Sequence, residues 1–243
     1  MKNLRDIELK DMKKLLEDMG EKPFRAKQLY TWLHQNLVTD VDEMTNLSKS
    51  LREKLRASYS VALPETVEVL TSKIDGTKKF IFRMQDGHVI ESVWMEYQHG
   101  HSVCISSQVG CRMGCKFCAS TLDGLARNLT SGEMLGQIYQ IQRTTGVRVD
   151  NIVIMGSGEP LDNYDEFTRF IRMISDENGL HISRRNITVS TCGLVPRIRQ
   201  LADENAGITL ALSLHAPNDE TRQKLMPIAK KYSLSEIMPA IEY

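Results

Sequence analysis

The chain has 243 residues, 41% of them hydrophobic and 26% charged, and its 31 basic and 31 acidic side chains leave no net formal charge. That length suits one large domain, alone or with a small companion. The charge balance excludes a globally basic nucleic-acid binder and leaves RNA contact to a local face. No apolar run approaches the ~18 residues of a spanning helix, and the charged start MKNLRDIELKDMKKLLEDMG has no signal-peptide core. Five cysteines, an odd number without an export signal, argue against a disulfide scaffold and for metal binding or catalysis in the cytoplasm.

Residues 1–62 read as a small helical domain. Ile7, Met12, Leu15, Leu16 and Met19 fall on one helical face, with Gly20 as a stop. A second helix follows Pro23 with Phe24, Leu29, Leu33 and Leu37, and a third lies within NLSKSLREKLRASY. Residues 63–100 read as a linking β-meander, with strands near 66–73, 78–84 and 88–96 around Asp75-Gly76 and Asp86-Gly87, the dipeptide of tight hairpins.

From 101 to 243 the pattern alternates strand and helix. Strands are expected at 102–108, 151–156, 186–191 and 208–215, and helices around 131–144, 163–176, 194–204, 218–226 and from 233. The fold class is therefore α/β, with about four βα units around a parallel sheet. Chemistry on such sheets sits at the carboxyl ends of the strands. The unusual motifs fall there: a cysteine loop, then GSGEP, then TCG, then HAPND.

The cysteine loop, CISSQVGCRMGCKFCAS, holds Cys104, Cys111, Cys115 and Cys118. Three thiolates from Cys111, Cys115 and Cys118 suit a [4Fe–4S] cluster with one iron free for a ligand. A zinc site would need a fourth ligand, which Cys104 could supply, although it sits within a strand. The plainest alternative is that these are small buried apolar residues. For GSGEP that alternative is a strand-to-helix turn, for His215 a structural histidine, and for Glu91 a solvated strand carboxylate.

Cys-x3-Cys-x2-Cys with Phe117 before the last cysteine resembles the radical S-adenosylmethionine (radical SAM) enzymes. The longer stretches SSQVGC, RNLTSGEMLGQI, MGSGEPLDNYDEF, ITVSTCGLVPRI and LALSLHAPNDETRQKLMPI resemble the RlmN family more specifically, from KPFRAKQLYTWLH to the last residues. The resemblance implies a radical SAM partial barrel that methylates C2 of adenosine in 23S ribosomal RNA and transfer RNA. It implies Cys111, Cys115 and Cys118 as cluster ligands. Gly158, Glu159, Ser190, Ser213, Leu214 and His215 match contacts to S-adenosylmethionine. Ser157 departs from the bulkier residue usual in the family. Cys104 matches the cysteine that resolves a protein–RNA crosslink by forming a disulfide, and Glu91 matches the proton acceptor. The implied partners are the two RNAs and an electron donor such as flavodoxin or ferredoxin, for a monomeric enzyme with no membrane association.

The family's methyl-carrying cysteine lies beyond the final strands, and Cys192 in STCG is read as a small buried residue, not its substitute. The chain is accordingly expected to be a truncated copy that binds a cluster without completing methylation. Basic positions for RNA are Lys22, Arg25 and Lys27, Arg184 and Arg185, and Lys224, Lys230 and Lys231. Two alternatives stay open: the related Cfr-type enzyme that methylates C8 and confers antibiotic resistance, and a zinc-stabilised RNA-binding module.

Overall fold

The computed structural model describes residues 1–243. Helix α1 (Leu9–Asp18) buries Met12 and Leu16, the i, i+4 pair of an amphipathic helix. Helix α2 (Phe24–His34) starts directly after Pro23, where a missing backbone N–H leaves no helix bond unmade. Helix α3 (Lys49–Ser58) is capped by the Ser48 hydroxyl, which accepts from the Leu51 N–H. A short parallel pair, Lys2–Asn3 with Tyr59–Ser60, ties the two ends of this helical module together. Just inside it, the buried Arg5 guanidinium donates to the carbonyls of Val38 and Val61.

Seven strands then form one mixed sheet: β1 (Glu65–Thr71), β2 (Lys78–Arg83), β3 (Val89–Tyr97), β4 (Gly100–Cys104), β5 (Asn151–Ile154), β6 (Ile187–Thr191) and β7 (Thr209–Leu212). Their order is β7-β6-β5-β4-β3-β2-β1. β4 to β7 run parallel and β1 to β4 antiparallel. The meander is thus continuous with the parallel half, because Val93 of β3 pairs with Cys104 of β4. The helices of the parallel half are α4 (Ser131–Thr145), α5 (Tyr164–Ile174), α6 (Val195–Asp203), α7 (Asp219–Leu225) and α8 (Leu234–Glu242). Strands β1 and β7 are free edges, so the sheet is a partial barrel. No helix is long and apolar enough to cross a membrane.

Side chains alternate across a strand, so register assigns them to faces. Phe80, Phe82, Ile90, Val103, Ile152 and Val189 lie on the face that helices cover, and all are buried. Lys79, Glu91, Val93, Cys104, Val153 and Ser190 share the other face, and none of them is buried.

The strand expected over 102–108 ends at Cys104. A side chain takes over there: Gln137 of α4 accepts from the Ser106 N–H at 2.9 Å and donates back to the Ser106 carbonyl at 3.0 Å. With that backbone satisfied off-sheet, the chain turns away, and Gln108–Gly110 pairs instead with Leu125–Asn128. The sequence reading did not anticipate this two-stranded ribbon.

The helical module docks on the amino end of α4. Thr130 and Glu133 form a capping box, Glu166 accepts from the Ser131 N–H at 2.7 Å, and Asp6 accepts from the Gly132 N–H at 2.9 Å. His34, fully buried, shares a 2.7 Å hydrogen bond between its Nδ1 and the Tyr139 hydroxyl of the same helix. Burial, with the Arg5 charge nearby, drives the His34 pKa well below its usual value and keeps the ring neutral. The unfolded chain therefore binds the extra proton. The His34 contribution is complete above pH ~6.5 and is lost as pH falls from there toward the lowered folded value. Between pH 7.5 and 5 the His34-linked loss should be at most about 2 kcal/mol. His34→Gln should be less stable at neutral pH yet show a smaller fall on acidification, as read from urea unfolding at both pH values.

Candidate active site

The cysteine loop hangs from the ribbon and is pinned on two sides. The Cys111 N–H donates to Gly124 O at 2.9 Å, and the Lys116 N–H donates to Leu225 O of α7 at 2.9 Å. The Thr121 hydroxyl donates to the Cys118 carbonyl at 3.0 Å. Cys111 and Cys115 are buried and Cys118 is partly exposed. All three line a cavity of about 290 Å3, together with residues from the ends of β5, β6 and β7.

The GSGEP turn closes one wall. At Gly158 φ is +103°, and a Cβ there would stand 2.6 Å from the Gln108 Cβ. At Gly156 a Cβ would stand 2.7 Å from Ser106 Oγ and 2.8 Å from Ile105 O. Glycine lets the ends of β4 and β5 approach, and a side chain at either position would push them apart. Glu159 lines the cavity with its carboxylate already engaged. It accepts from the Cys192 N–H at 2.7 Å and the Leu161 N–H at 3.2 Å, and burial raises its pKa against those hydrogen bonds. Ligand contacts at this wall are therefore left mainly to the backbone around Gly158.

The opposite wall comes from β6 and β7. Ser190 Oγ and Ser213 Oγ lie 2.9 Å apart, and both line the cavity. His215 adopts φ +55°, and its ring packs 4.4 Å from that of Phe117 in the cysteine loop. This contact bridges the first and last motifs of the site. Leu214 does not line the cavity, and its carbonyl accepts from Arg222 Nε at 3.2 Å.

Cys104 and Glu91 stand apart from this cavity. Both are on the open face of the sheet, where Glu91 pairs with Lys79 at 2.8 Å. The register places Glu91 beside the carboxyl end of β4, and the Ser106 hydroxyl donates to its carbonyl at 2.7 Å. Burial raises the Cys104 thiol pKa. All five cysteines are free thiols. Cys192 is buried beside Cys115 and Met226, and desolvation holds it firmly protonated.

The donor set fits the cluster better than a lone ion. No three His, Cys, Asp or Glu side chains converge closely enough to hold one metal ion. Cys104, the fourth zinc ligand considered, does not line the cavity. Three thiols line a single cavity, and the one carboxylate that lines it with them, Glu159, is already engaged by backbone N–H groups; three thiolates match the ligand chemistry of an iron–sulfur cluster. Burial raises Cys111 to about 11 and also raises Cys115, so loading must displace their protons.

Some site residues had no sequence signal. Gln108 donates to Asn128 and Asp162 and accepts from the Glu159 N–H. Ser157, a departure noted in the sequence, bonds Ser120 of the cysteine loop at 2.8 Å. The basic positions are dispersed: Lys224 pairs with Glu220, Arg184 donates to Ala206 O, and Arg25 donates to Asn46 O.

Residues 2–61 match the model of the ribosomal RNA large subunit methyltransferase N-terminal domain, and residues 105–243 match that of the radical SAM superfamily. The chain is 60% identical over 241 residues to a probable dual-specificity RNA methyltransferase RlmN of Lachnoclostridium phytofermentans, covering 99% of this chain and 68% of that one. It is 56% identical to a protein of the same description from Lachnospira eligens, covering 100% and 69%. A crystal structure of a radical SAM methyltransferase from Sphaerobacter thermophilus superposes with TM-score 0.93 at 40% identity, over 99% of this chain and 71% of that one.

Two outcomes follow from this geometry. In the metal-free, reduced chain, a thiol reagent should modify Cys104 and Cys118 before Cys111, Cys115 and Cys192, as read by peptide mass mapping. Gly158→Ala should lower stability by about 1–3 kcal/mol in urea unfolding, because both φ and the Gln108 contact resist a methyl group.

Proposed function

The chain belongs to the RlmN family of radical SAM methyltransferases, and on that premise we propose that these residues form the cluster- and cofactor-binding part of an enzyme that methylates C2 of adenine in large-subunit ribosomal RNA and in transfer RNA. The observation that carries this reading is the meeting, around one cavity, of Cys111, Cys115 and Cys118 with Gly158, Ser190, Ser213 and His215 from three strand ends.

C2 of adenine is electron-poor and not nucleophilic, so simple polar transfer of a methyl group fails there. Held by Cys111, Cys115 and Cys118, the [4Fe–4S] cluster used by this family would supply one-electron chemistry to S-adenosylmethionine, opening a radical route to that carbon. The residues of the chain position and shield the reactants. The backbone around Gly158 offers acceptors to the cofactor's ammonium group, with Glu159 holding that turn rigid. The Ser190–Ser213 hydroxyl pair holds the rest of the cofactor, and the Phe117–His215 contact walls it from water.

On the open face, Cys104 is assigned as the thiol that would resolve a protein–RNA crosslink by forming a disulfide with the family's methyl-carrying cysteine, which is not one of the five cysteines here, and Glu91 as the carboxylate that accepts the adenine proton. Their common face is reached only by a base taken out of its stack. An external one-electron donor, flavodoxin or ferredoxin, and a monomeric enzyme in the cytoplasm complete the proposal. The unpaired thiols suit that reducing compartment.

Anaerobic reconstitution with iron and sulfide tests it. The reduced protein should give a [4Fe–4S]+ electron paramagnetic resonance signal that changes when S-adenosylmethionine is added. Replacing any of Cys111, Cys115 or Cys118 by Ala should abolish the signal, whereas Cys104→Ala and Glu91→Gln should retain it. A colourless protein holding one tightly bound zinc would overturn the proposal.

A further inference from the structure

Helix α7 carries a fully buried arginine, Arg222, that the reaction outlined above does not use. Its Nη2 donates to Cys192 O at 2.7 Å and its Nε to Leu214 O at 3.2 Å. Its Nη1 is buried with no partner at all. Neither contact is to a carboxylate, so a whole positive charge lies inside the protein without an anion bound to it. An arrangement of that kind is strongly unfavourable unless a counter-charge is supplied.

The surroundings indicate where the counter-charge belongs. The ionisable groups near Arg222 are one carboxylate, Asp219, which accepts from the Leu234 N–H at 2.8 Å, and the thiols of Cys192 and Cys115. Cys115, Cys192 and Met226 pack as one small cluster, and Met226 follows directly on α7. The bond from Lys116 N–H to Leu225 O ties the cysteine loop to the end of this helix. Arg222 is thus held behind the cavity wall on the side of Cys115, by a guanidinium whose other two anchoring groups are fixed to carbonyls.

We propose that Arg222 is the buried counter-charge of the iron–sulfur cluster, acting across the cavity wall beside Cys115. This rests on the cluster reading above. Three thiolates make the loaded centre anionic, and one-electron reduction adds a further negative charge. Net charge and hydrogen bonds to the sulfurs set the potential of such centres. A fixed cation therefore favours the reduced form, which is the form needed to split S-adenosylmethionine. Arg222 is a positioning residue in this sense: it acts through the cluster and not on the substrate. Lysine would keep the charge but lose the fork that holds it in place.

The test uses wild-type protein carrying 15N in its arginine guanidinium groups, reconstituted anaerobically and reduced with dithionite. Pulsed electron paramagnetic resonance should detect a 15N coupling to the cluster, and that coupling should vanish in Arg222→Lys. Redox titration should place Arg222→Gln more negative than wild type by at least a tenfold change in the reduced-to-oxidised ratio, about 59 mV for one electron, with Arg222→Lys in between. A loaded cluster without 15N coupling, or equal potentials in folded variants, overturns the inference and leaves the cluster reading intact. The wild-type coupling measurement decides the matter even if Arg222→Gln fails to fold. Failure of wild-type protein to take up a cluster overturns the cluster reading and this inference with it.

Discussion

The site depends on one buried carboxylate. Glu159 stands where the loop after β5 meets the loop after β6, and it holds both through the N–H groups of Leu161 and Cys192. Its own N–H is held by Gln108, which reaches on to Asn128 and Asp162. Burying an ionised carboxylate is unfavourable, and charge-assisted bonds to backbone donors are what offset that cost. The result is a rigid joint between segments more than thirty residues apart in sequence. Residues anchored to such a joint, Gly158 on one side and Ser190 on the other, keep a fixed separation across the cavity.

The sheet supplies the second constraint. Because alternate residues point to opposite faces, one register decides the fate of a whole row. The face under the helices is apolar and closed. The other carries Lys79, Glu91, Cys104 and Ser190 at the same end of the sheet. The meander extends that surface, since β3 brings Glu91 alongside the end of β4. Cys104 does not line the cavity that the other three cysteines share, although all four lie within fifteen residues of sequence.

Much of this was legible in the sequence. Periodicity located every long helix to within a few residues, because each carries an amphipathic stripe, and some begin at a cap such as Ser48 or Thr130. The Asp-Gly turns gave the meander, and the motif positions at strand ends gave the cavity. What escaped was held by single polar side chains with no repeating pattern. The early end of β4 depends on the Gln137 amide, and the ribbon after it depends on pairing with Leu125–Asn128. Neither leaves a period in the sequence. Glu159 was legible as a candidate site residue, but its engagement with Cys192 is a tertiary fact. The same holds for Arg222, which reads in sequence as an ordinary helix-surface cation.

The bond from Asp6 to the Gly132 N–H spans 126 residues of chain. At translation rates of roughly 5–20 residues per second, Asp6 is made roughly 6–25 s before its partner. For that interval the amino-terminal module must persist with an uncompensated carboxylate and with the apolar surface meant for α4 still exposed. The amino end of α4 likewise gains one of its caps only after this early-made module docks. Assembly of the catalytic half is therefore timed by the nascent chain: the first piece synthesised waits as the template on which the helix behind the cysteine loop is completed.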